Sequence, residues 1–351
     1  MNAQETSERG WGASRAVMLV AILTVFGLTA VGAVRVIAFG EKGTRASDEP
    51  ITPTPSPSPP HEPAPYQTAS FAQVEGWIAL RIERVGLELV AIDPRNPDDV
   101  VALPGGASGD PVAWSRDGSQ LILEDGDHLV VLGADGRTQT LQRNAEGASF
   151  SPDGRSVVYE REGELFVIRL GGGSARKIVA TAKPYPCVAP SDCDDSTDPA
   201  WSPDGSVIAF IDRTIVKGAY WLPGVHVYRT TISLVRPNGR GRRVLISLGR
   251  NGKNRNDLAD GTSELEWSPD GSRLSFGSSN GIYVVDADGS ALQQIAGQGT
   301  SPTWSPNGKR VALLVDGLIW IVEVPGGHVR VIVPPDQRAA RFTTLAWNPA
   351  V

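Results

Sequence analysis

Cysteine is nearly absent. Cys187 and Cys193 are the only two in 351 residues, too few for a disulfide-dense scaffold or a cysteine-rich zinc module. Histidine is also scarce, and His61, His128, His226 and His328 lie far apart without metal-ligand spacing. Basic charge is not in excess. The net charge of -6 at pH 7 argues against a nucleic-acid partner, which needs a basic footprint. Helical periodicity is missing from residues 71–351, where no window of a dozen residues repeats its apolar positions every 3.6. Catalytic signatures are missing too. Gly277-Ser278-Ser279-Asn280-Gly281 fits G-x-S-x-G by letter, but that motif needs a strand-to-helix elbow, and this stretch reads as a β-hairpin. No Walker or dinucleotide motif occurs. The expectation is no enzyme, no catalytic residue and no resident cofactor.

Glycine and proline are plentiful, at 39 and 27 residues, as in a chain with many turns. Hydrophobic residues make up 40% and charged residues 21%, which suits a globular core.

The chain has four parts. Residues 1–15 are polar and are expected to be a cytoplasmic tail. Ala16 to Val34 is a run of 19 residues without a charge, continued past Arg35 by Val36-Ile37-Ala38-Phe39. At about 1.5 Å per residue it is long enough to cross a bilayer core of about 30 Å. Residues 16–39 are therefore expected to form a transmembrane helix acting as a signal anchor. A cleaved signal peptide ending near Val31-Gly32-Ala33 is the rival reading. Residues 40–70 form a linker in which eight prolines fall between Pro50 and Pro65. Such a run favours extended polyproline II and cannot bury a core.

Residues 71–351 alternate short β-branched segments with Gly, Pro, Asp and Asn turns. One motif recurs: Trp114-Ser115-Arg116-Asp117-Gly118, Phe150-Ser151-Pro152-Asp153-Gly154, Trp201-Ser202-Pro203-Asp204-Gly205, Trp267-Ser268-Pro269-Asp270-Gly271 and Trp304-Ser305-Pro306-Asn307-Gly308, with Trp347-Asn348-Pro349 at the end. Proline presets φ for a turn, Asp bonds to the backbone, and Gly supplies positive φ. Each motif is thus a tight hairpin, and each unit holds four antiparallel strands. Residues 76–103 hold three strands with no motif ahead of them, and the C-terminus holds a first strand with nothing after it. Together they complete a sixth unit and close a ring. The fold class is all-β, a six-bladed β-propeller.

The repeated (W/F)SPDG followed by an apolar strand resembles the TolB-like, WD-repeat-like propeller family over about residues 76–351. The resemblance implies an extracytoplasmic interaction scaffold. It implies no chemistry for the motif residues, which are structural.

Three stretches depart from the repeat: 181–198, 213–230 and 249–262. Strand alternation puts all three on the face opposite the Ser-Pro-Asp-Gly turns, around the blade that begins at Trp201. Loops on a rigid scaffold are where binding concentrates. The candidate binding residues are Tyr185, Arg213, Lys217, Tyr220, Trp221, His226, Tyr228 and Arg229, because aromatic and Arg residues anchor interfaces. The competing reading is a small satellite core under a long loop. Cys187 and Cys193 read as a local disulfide, which would place the propeller outside the cytoplasm. Asp192, Asp194, Asp195 and Asp198 are a weak Ca²⁺ candidate, and a solvated acidic loop is the simpler reading. Asp286-Ala287-Asp288-Gly289 reads as a plain turn.

The expected protein is a single-pass, membrane-anchored extracytoplasmic propeller that binds another protein or an envelope polymer. The alternatives are a hydrolase or lyase acting on glycans through channel carboxylates, or a small-ligand sensor in the channel. Carboxylates converging at the channel mouth favour catalysis; an open aromatic patch favours a partner or glycan.

Overall fold

The computed structural model describes residues 66–83, 87–106, 109–180, 195–215, 228–250, 258, 261–325, 327–332 and 344–350. Every described residue lies in one compact unit within Pro63–Val351. Among the described residues no helix is long and apolar enough to cross a membrane. The expected span 16–39 lies outside them.

This unit is a ring of six four-stranded antiparallel sheets. Blade 2 comprises Asp110–Trp114, Gln120–Asp125, His128–Gly133 and Thr138–Arg143. Blade 3 comprises Glu146–Phe150, Ser156–Arg161, Glu164–Arg169 and Arg176–Val179. Blade 4 comprises Asp195–Trp201, Ile208–Ile215, Tyr228–Val235 and Arg243–Arg250. Blade 5 comprises Ser263–Trp267, Arg273–Ser278, Gly281–Asp286 and Gln293–Ala296. Blade 6 comprises Thr300–Trp304, Arg310–Val315, Leu318–Glu323 and Val329–Ile332. Blade 1 joins the two ends of the unit: Leu345–Trp347 pairs with Ile78–Glu83, followed by Leu87–Ile92 and Val100–Ala102. The expected closure is therefore present, and it leaves no open sheet at either terminus.

Six apolar layers hold the ring, one between each pair of neighbouring blades. Between blades 6 and 1, for example, Ile78, Leu80 and Ile82 pack on Ala312, Leu314 and Ile321. Ala79 on the opposite face of the same strand packs towards Trp114 of blade 2. Both faces of each second strand are covered, so second strands are apolar at consecutive positions; Arg310–Val315 buries five in a row. Each repeated aromatic residue sits in one of these layers, as expected. Trp114, Trp267, Trp304 and Trp347 are buried, and their indole N–H groups find carbonyl acceptors. Trp114 Nε1 donates to Ala346 O at 3.1 Å, Trp267 Nε1 to Ala200 O at 3.1 Å and Trp304 Nε1 to Glu266 O at 3.2 Å. Trp201 differs: it is half-buried against the layer between blades 3 and 4, and its Nε1 has no acceptor among the described residues.

The motif hairpins form as the sequence predicts. In blade 4, Gly205 N–H donates to Ser202 O at 2.9 Å, and Ser202 Oγ donates to Asp204 Oδ1 at 2.6 Å. Ser206 N–H also donates to Asp204 Oδ1, at 3.0 Å. Gly205 adopts φ +74, and a Cβ there would lie 3.6 Å from Pro152 of the preceding blade. The same fit recurs between Gly271 and Pro203, so Pro and Gly of neighbouring motifs mesh around one end of the ring. We call that end the turn face and the other the loop face. Asp286-Ala287-Asp288-Gly289 is a turn, as read from the sequence, with Gly289 N–H bonded to Asp286 O at 2.8 Å. Gly277 to Gly281 spans a second-to-third-strand hairpin and no elbow.

Candidate functional site

The first strand of every blade lines a central cavity of about 820 Å³. These strands start at the loop face and reach the motif at the turn face. Those of blades 2 to 6 each carry a bulge shortly before the aromatic residue. At the position three before the aromatic, Gly147, Asp198, Glu264 and Ser301 adopt left-handed φ values of +47, +50, +59 and +53. Three of these are not glycine, so the ring stores backbone strain here, at roughly 1–3 kcal/mol per residue. Such strain persists where surrounding contacts fix it.

Those contacts are carboxylates. Asp198 Oδ1 accepts the Glu264 N–H at 2.9 Å. Glu264 Oε2 accepts the Ser301 N–H at 2.6 Å, and its Oε1 accepts Ser301 Oγ at 3.2 Å. Glu124, at the end of the second strand of blade 2, accepts the Gly147 N–H through Oε1 at 2.7 Å. Around the loop-face end of the cavity, side chains of one blade thus pin the bulge of the next. Glu266 lies deeper, where Oε1 accepts Thr303 Oγ1 at 3.3 Å.

Burial dominates the electrostatics. Desolvation raises Glu124, against the Gly147 N–H, and the charges of Glu146, Asp198 and Asp110 raise it further. Desolvation likewise raises Glu264, with Asp198 adding to it. Glu266 is pushed up to about 8 by desolvation, despite the opposing bonds from Thr303 and Trp304. It is half-buried in the cavity wall. Positive charge on the cavity wall comes from Arg213 and Arg116; outside it, Arg81 Nε pairs with Asp110 Oδ1 at 2.9 Å. At the turn face, Arg116 stands where most blades have proline and donates from Nη1 to Pro203 O, two blades away, at 3.0 Å.

Arg213 does not project as a free interface anchor. Its Nη1 donates to Thr197 Oγ1 at 3.1 Å and its Nη2 to the Thr262 carbonyl, so it braces the cavity rim towards blade 5. Arg229 is exposed on the third strand of blade 4, in register with Thr214 and Arg250. Tyr228 opens that strand, its backbone opposite Ile215. Tyr185, Lys217, Tyr220, Trp221 and His226 lie outside the described residues, as do Cys187 and Cys193 and the disulfide expected between them. Asp192 and Asp194 lie outside as well, and Asp195 is described only as the first residue of a strand. Asp198, the remaining member of the Ca²⁺ candidate, sits in the cavity wall with Oδ1 taken by an N–H. Among the described residues no group of three His, Cys, Asp or Glu could hold a metal ion.

The carboxylates Glu124, Glu146, Glu264 and Glu266 were not singled out from sequence. Glu264 was detectable. Counting back from each repeated aromatic aligns Gly147, Asp198, Glu264 and Ser301 at one position. Glu124 had no such signal, because it reaches the cavity from a second strand.

The architecture defines the class: a six-bladed β-propeller with a central cavity that runs from loop-face carboxylates to the turn-face prolines. Solved structures agree on the fold. A chain of a nidogen/laminin complex superposes with a TM-score of 0.57 at 12% identity, covering 79% of this chain and 100% of that one. A TolB from Agrobacterium tumefaciens superposes with a TM-score of 0.51 at 18% identity, covering 73% and 88%. The six-bladed propeller expected from the motif is the fold observed. No protein-family model and no curated protein matches the sequence.

Proposed function

We propose that this protein is a membrane-tethered extracytoplasmic scaffold that presents its loop face to a protein or a cell-envelope polymer. One observation carries the reading. The strand ends that flank residues 181–194, 216–227 and 251–257 all belong to the loop-face side of blades 3, 4 and 5, the end of the cavity where its carboxylates Glu124, Glu146, Asp198 and Glu264 gather. The mechanism is rigid display. A ring closed by six apolar layers holds its face fixed, so little ordering cost accompanies binding. The channel acids support binding over chemistry, because Glu124, Asp198 and Glu264 are occupied by backbone N–H groups of the next blade.

The test replaces residues 216–227 with Asn-Gly, a two-residue hairpin turn that suits the Ile215–Tyr228 pairing. Partner recovery from envelope extract is compared with that of the unaltered chain at matched melting temperature. The variant is expected to lose the partners; equal recovery overturns the loop-face reading.

A second reading, glycan hydrolysis or lysis in the channel, draws on Glu266, whose raised carboxyl faces a cavity within the usual range of about 300–1,000 Å³ for ligand sites. Release of new sugar ends from polysaccharides, abolished in Glu266→Gln, is its expected signature. No release from a broad polysaccharide panel sinks it.

A further inference from the structure

The turn face carries a charge pattern that the loop-face reading leaves unused. The third-to-fourth-strand turn of blade 4 is Arg236-Pro237-Asn238-Gly239-Arg240-Gly241-Arg242-Arg243. It places four arginines and no acid in eight residues of a chain whose net charge is -6. The equivalent turns of blades 2, 5 and 6 each contain an acid: Asp135, Asp286 with Asp288, and Glu323. All four arginines of the blade 4 turn are exposed. Arg242 pairs with Asp212 and lies over the Phe210 ring, so it is partly committed. Arg240 and Arg243 have no ion pair or ring contact among the described residues.

This turn is held firmly. Gly239 lies so close to blade 3 that a Cβ would come within 2.9 Å of Ile178 O. Arg176 Nη2 donates to Pro237 O at 2.7 Å, which brings a fifth arginine beside the turn. On the other side, a Cβ on Gly289 of blade 5 would come within 2.5 Å of Leu245 O.

Aliphatic side chains share this rim. Among the described residues, the exposed large hydrophobics are Val244 at 56%, Leu292 at 40%, Val329 at 45% and Val331 at 44%. Val244, Leu292 and Val329 lie beside the start of a fourth strand, next to a turn-face hairpin, in blades 4, 5 and 6, and Val331 lies two residues further along the blade 6 strand. Arg243 precedes Val244, and Arg330 stands between Val329 and Val331.

We infer that the turn face docks on an anionic phospholipid surface, with the arginines of the blade 4 turn against phosphate headgroups and the aliphatic rim at headgroup depth. The aliphatics decide between a bilayer and a soluble polyanion. A polyanion needs only charge, whereas isolated aliphatics beside arginines suit the boundary between headgroups and acyl chains. Docking this way points the loop face away from the membrane, towards a partner. The docking stands without the anchor expected at 16–39, and the experiment separates the two.

The full chain is mixed with vesicles of pure phosphatidylcholine and of phosphatidylcholine with 30 mol% phosphatidylglycerol. Flotation is scored, and amide exchange is followed over residues 236–249. Flotation with pure phosphatidylcholine reads the anchor. Docking is read by slower exchange at 236–249 in anionic vesicles alone, reversed by salt. The double variant Arg240→Glu/Arg243→Glu is expected to bind anionic vesicles at least about tenfold more weakly, since each basic side chain near such a surface contributes roughly a fivefold gain. Its melting temperature should stay unchanged. A third arm adds soluble polyphosphate. Equal exchange in both vesicle types, unchanged binding by the double variant, or polyphosphate that captures the chain and displaces it from vesicles would each overturn the proposal.

Discussion

Asp198 and Glu264 face the same cavity from neighbouring blades, and the Oδ1 of the first accepts the backbone N–H of the second at 2.9 Å. Both adopt left-handed backbone, at φ +50 and +59. The bond therefore secures a strained bulge, and Glu264 passes the arrangement on to Ser301. Carboxylates that would otherwise suggest chemistry have a structural task here.

The relay makes a specific prediction. Asp198→Ala leaves the Glu264 N–H unpaired and puts a β-carbon without polar compensation in a left-handed conformation. The expected cost is about 2–4 kcal/mol. Asp198→Asn keeps an acceptor and tolerates that backbone, and should cost less than about 1 kcal/mol. Urea unfolding of the two variants checks this; equal losses would show that the acceptor does not matter.

The repeated tryptophans should not be equivalent. Trp267→Ala empties a buried layer and removes the bond to Ala200 O, at an expected cost of about 3–5 kcal/mol. Trp201 is half-buried with no acceptor for Nε1 among the described residues, so Trp201→Ala should cost about 1–2 kcal/mol. Sequence alone predicts two equally damaged proteins. Melting temperatures that fall by the same amount would favour that simpler expectation.

Glu266 gives a pH signature. Its carboxyl is held near 8 in the folded state against an ordinary value of 4.5, so the folded protein prefers the protonated form. Its contribution is fully present below about 4.5 and is lost as pH rises through about 8. The melting temperature of the wild type should decline across that window. Glu266→Gln, which keeps an acceptor for Thr303, should flatten the decline and be the more stable protein at pH 9, by an amount on the order of a few kcal/mol once channel water is allowed for. Parallel profiles would refute the assignment.

The motif aspartates act at the other end of the scale. The hydroxyls of Ser115, Ser151, Ser202 and Ser268 are the largest influence holding Asp117, Asp153, Asp204 and Asp270 below the usual carboxylate range. Their stabilisation is present above about 3.8 and lost as pH falls below it. Blade 6 already uses Asn307, which accepts Ser305 Oγ at 2.9 Å and does not titrate. Replacing all four aspartates with asparagine should lower the pH midpoint of acid unfolding. An unchanged midpoint would place acid sensitivity elsewhere.

The G-x-S-x-G stretch should behave as a turn. Gly281 adopts φ +116, and a Cβ there would come within 2.1 Å of Ala296 O, so Gly281→Ala should lower the melting temperature by several degrees. Ser279 is exposed on the same hairpin, and Ser279→Ala should change neither stability nor labelling by a serine-directed fluorophosphonate. Labelling lost in Ser279→Ala would reinstate a nucleophile.

Much of the fold was legible because its information is local. Ser-Pro-Asp-Gly dictates a hairpin through φ, a side-chain acceptor and one glycine, all within five residues. Six copies, with three strands at one end of the propeller region and one at the other, require a closed ring. Second strands without alternation announce sheets covered on both faces. The residues of the cavity wall were another matter. Whether Asp198 is a loop ligand or a brace for Glu264 depends on a contact across 66 residues, and Glu124 reaches Gly147 from a different strand and blade. Arg213 looked like an interface anchor and is tied to Thr197 and Thr262. Local sequence carries turn geometry and burial pattern. Which groups from separate blades meet around an axis is set by ring closure and bulge register, and only the assembled propeller decides that.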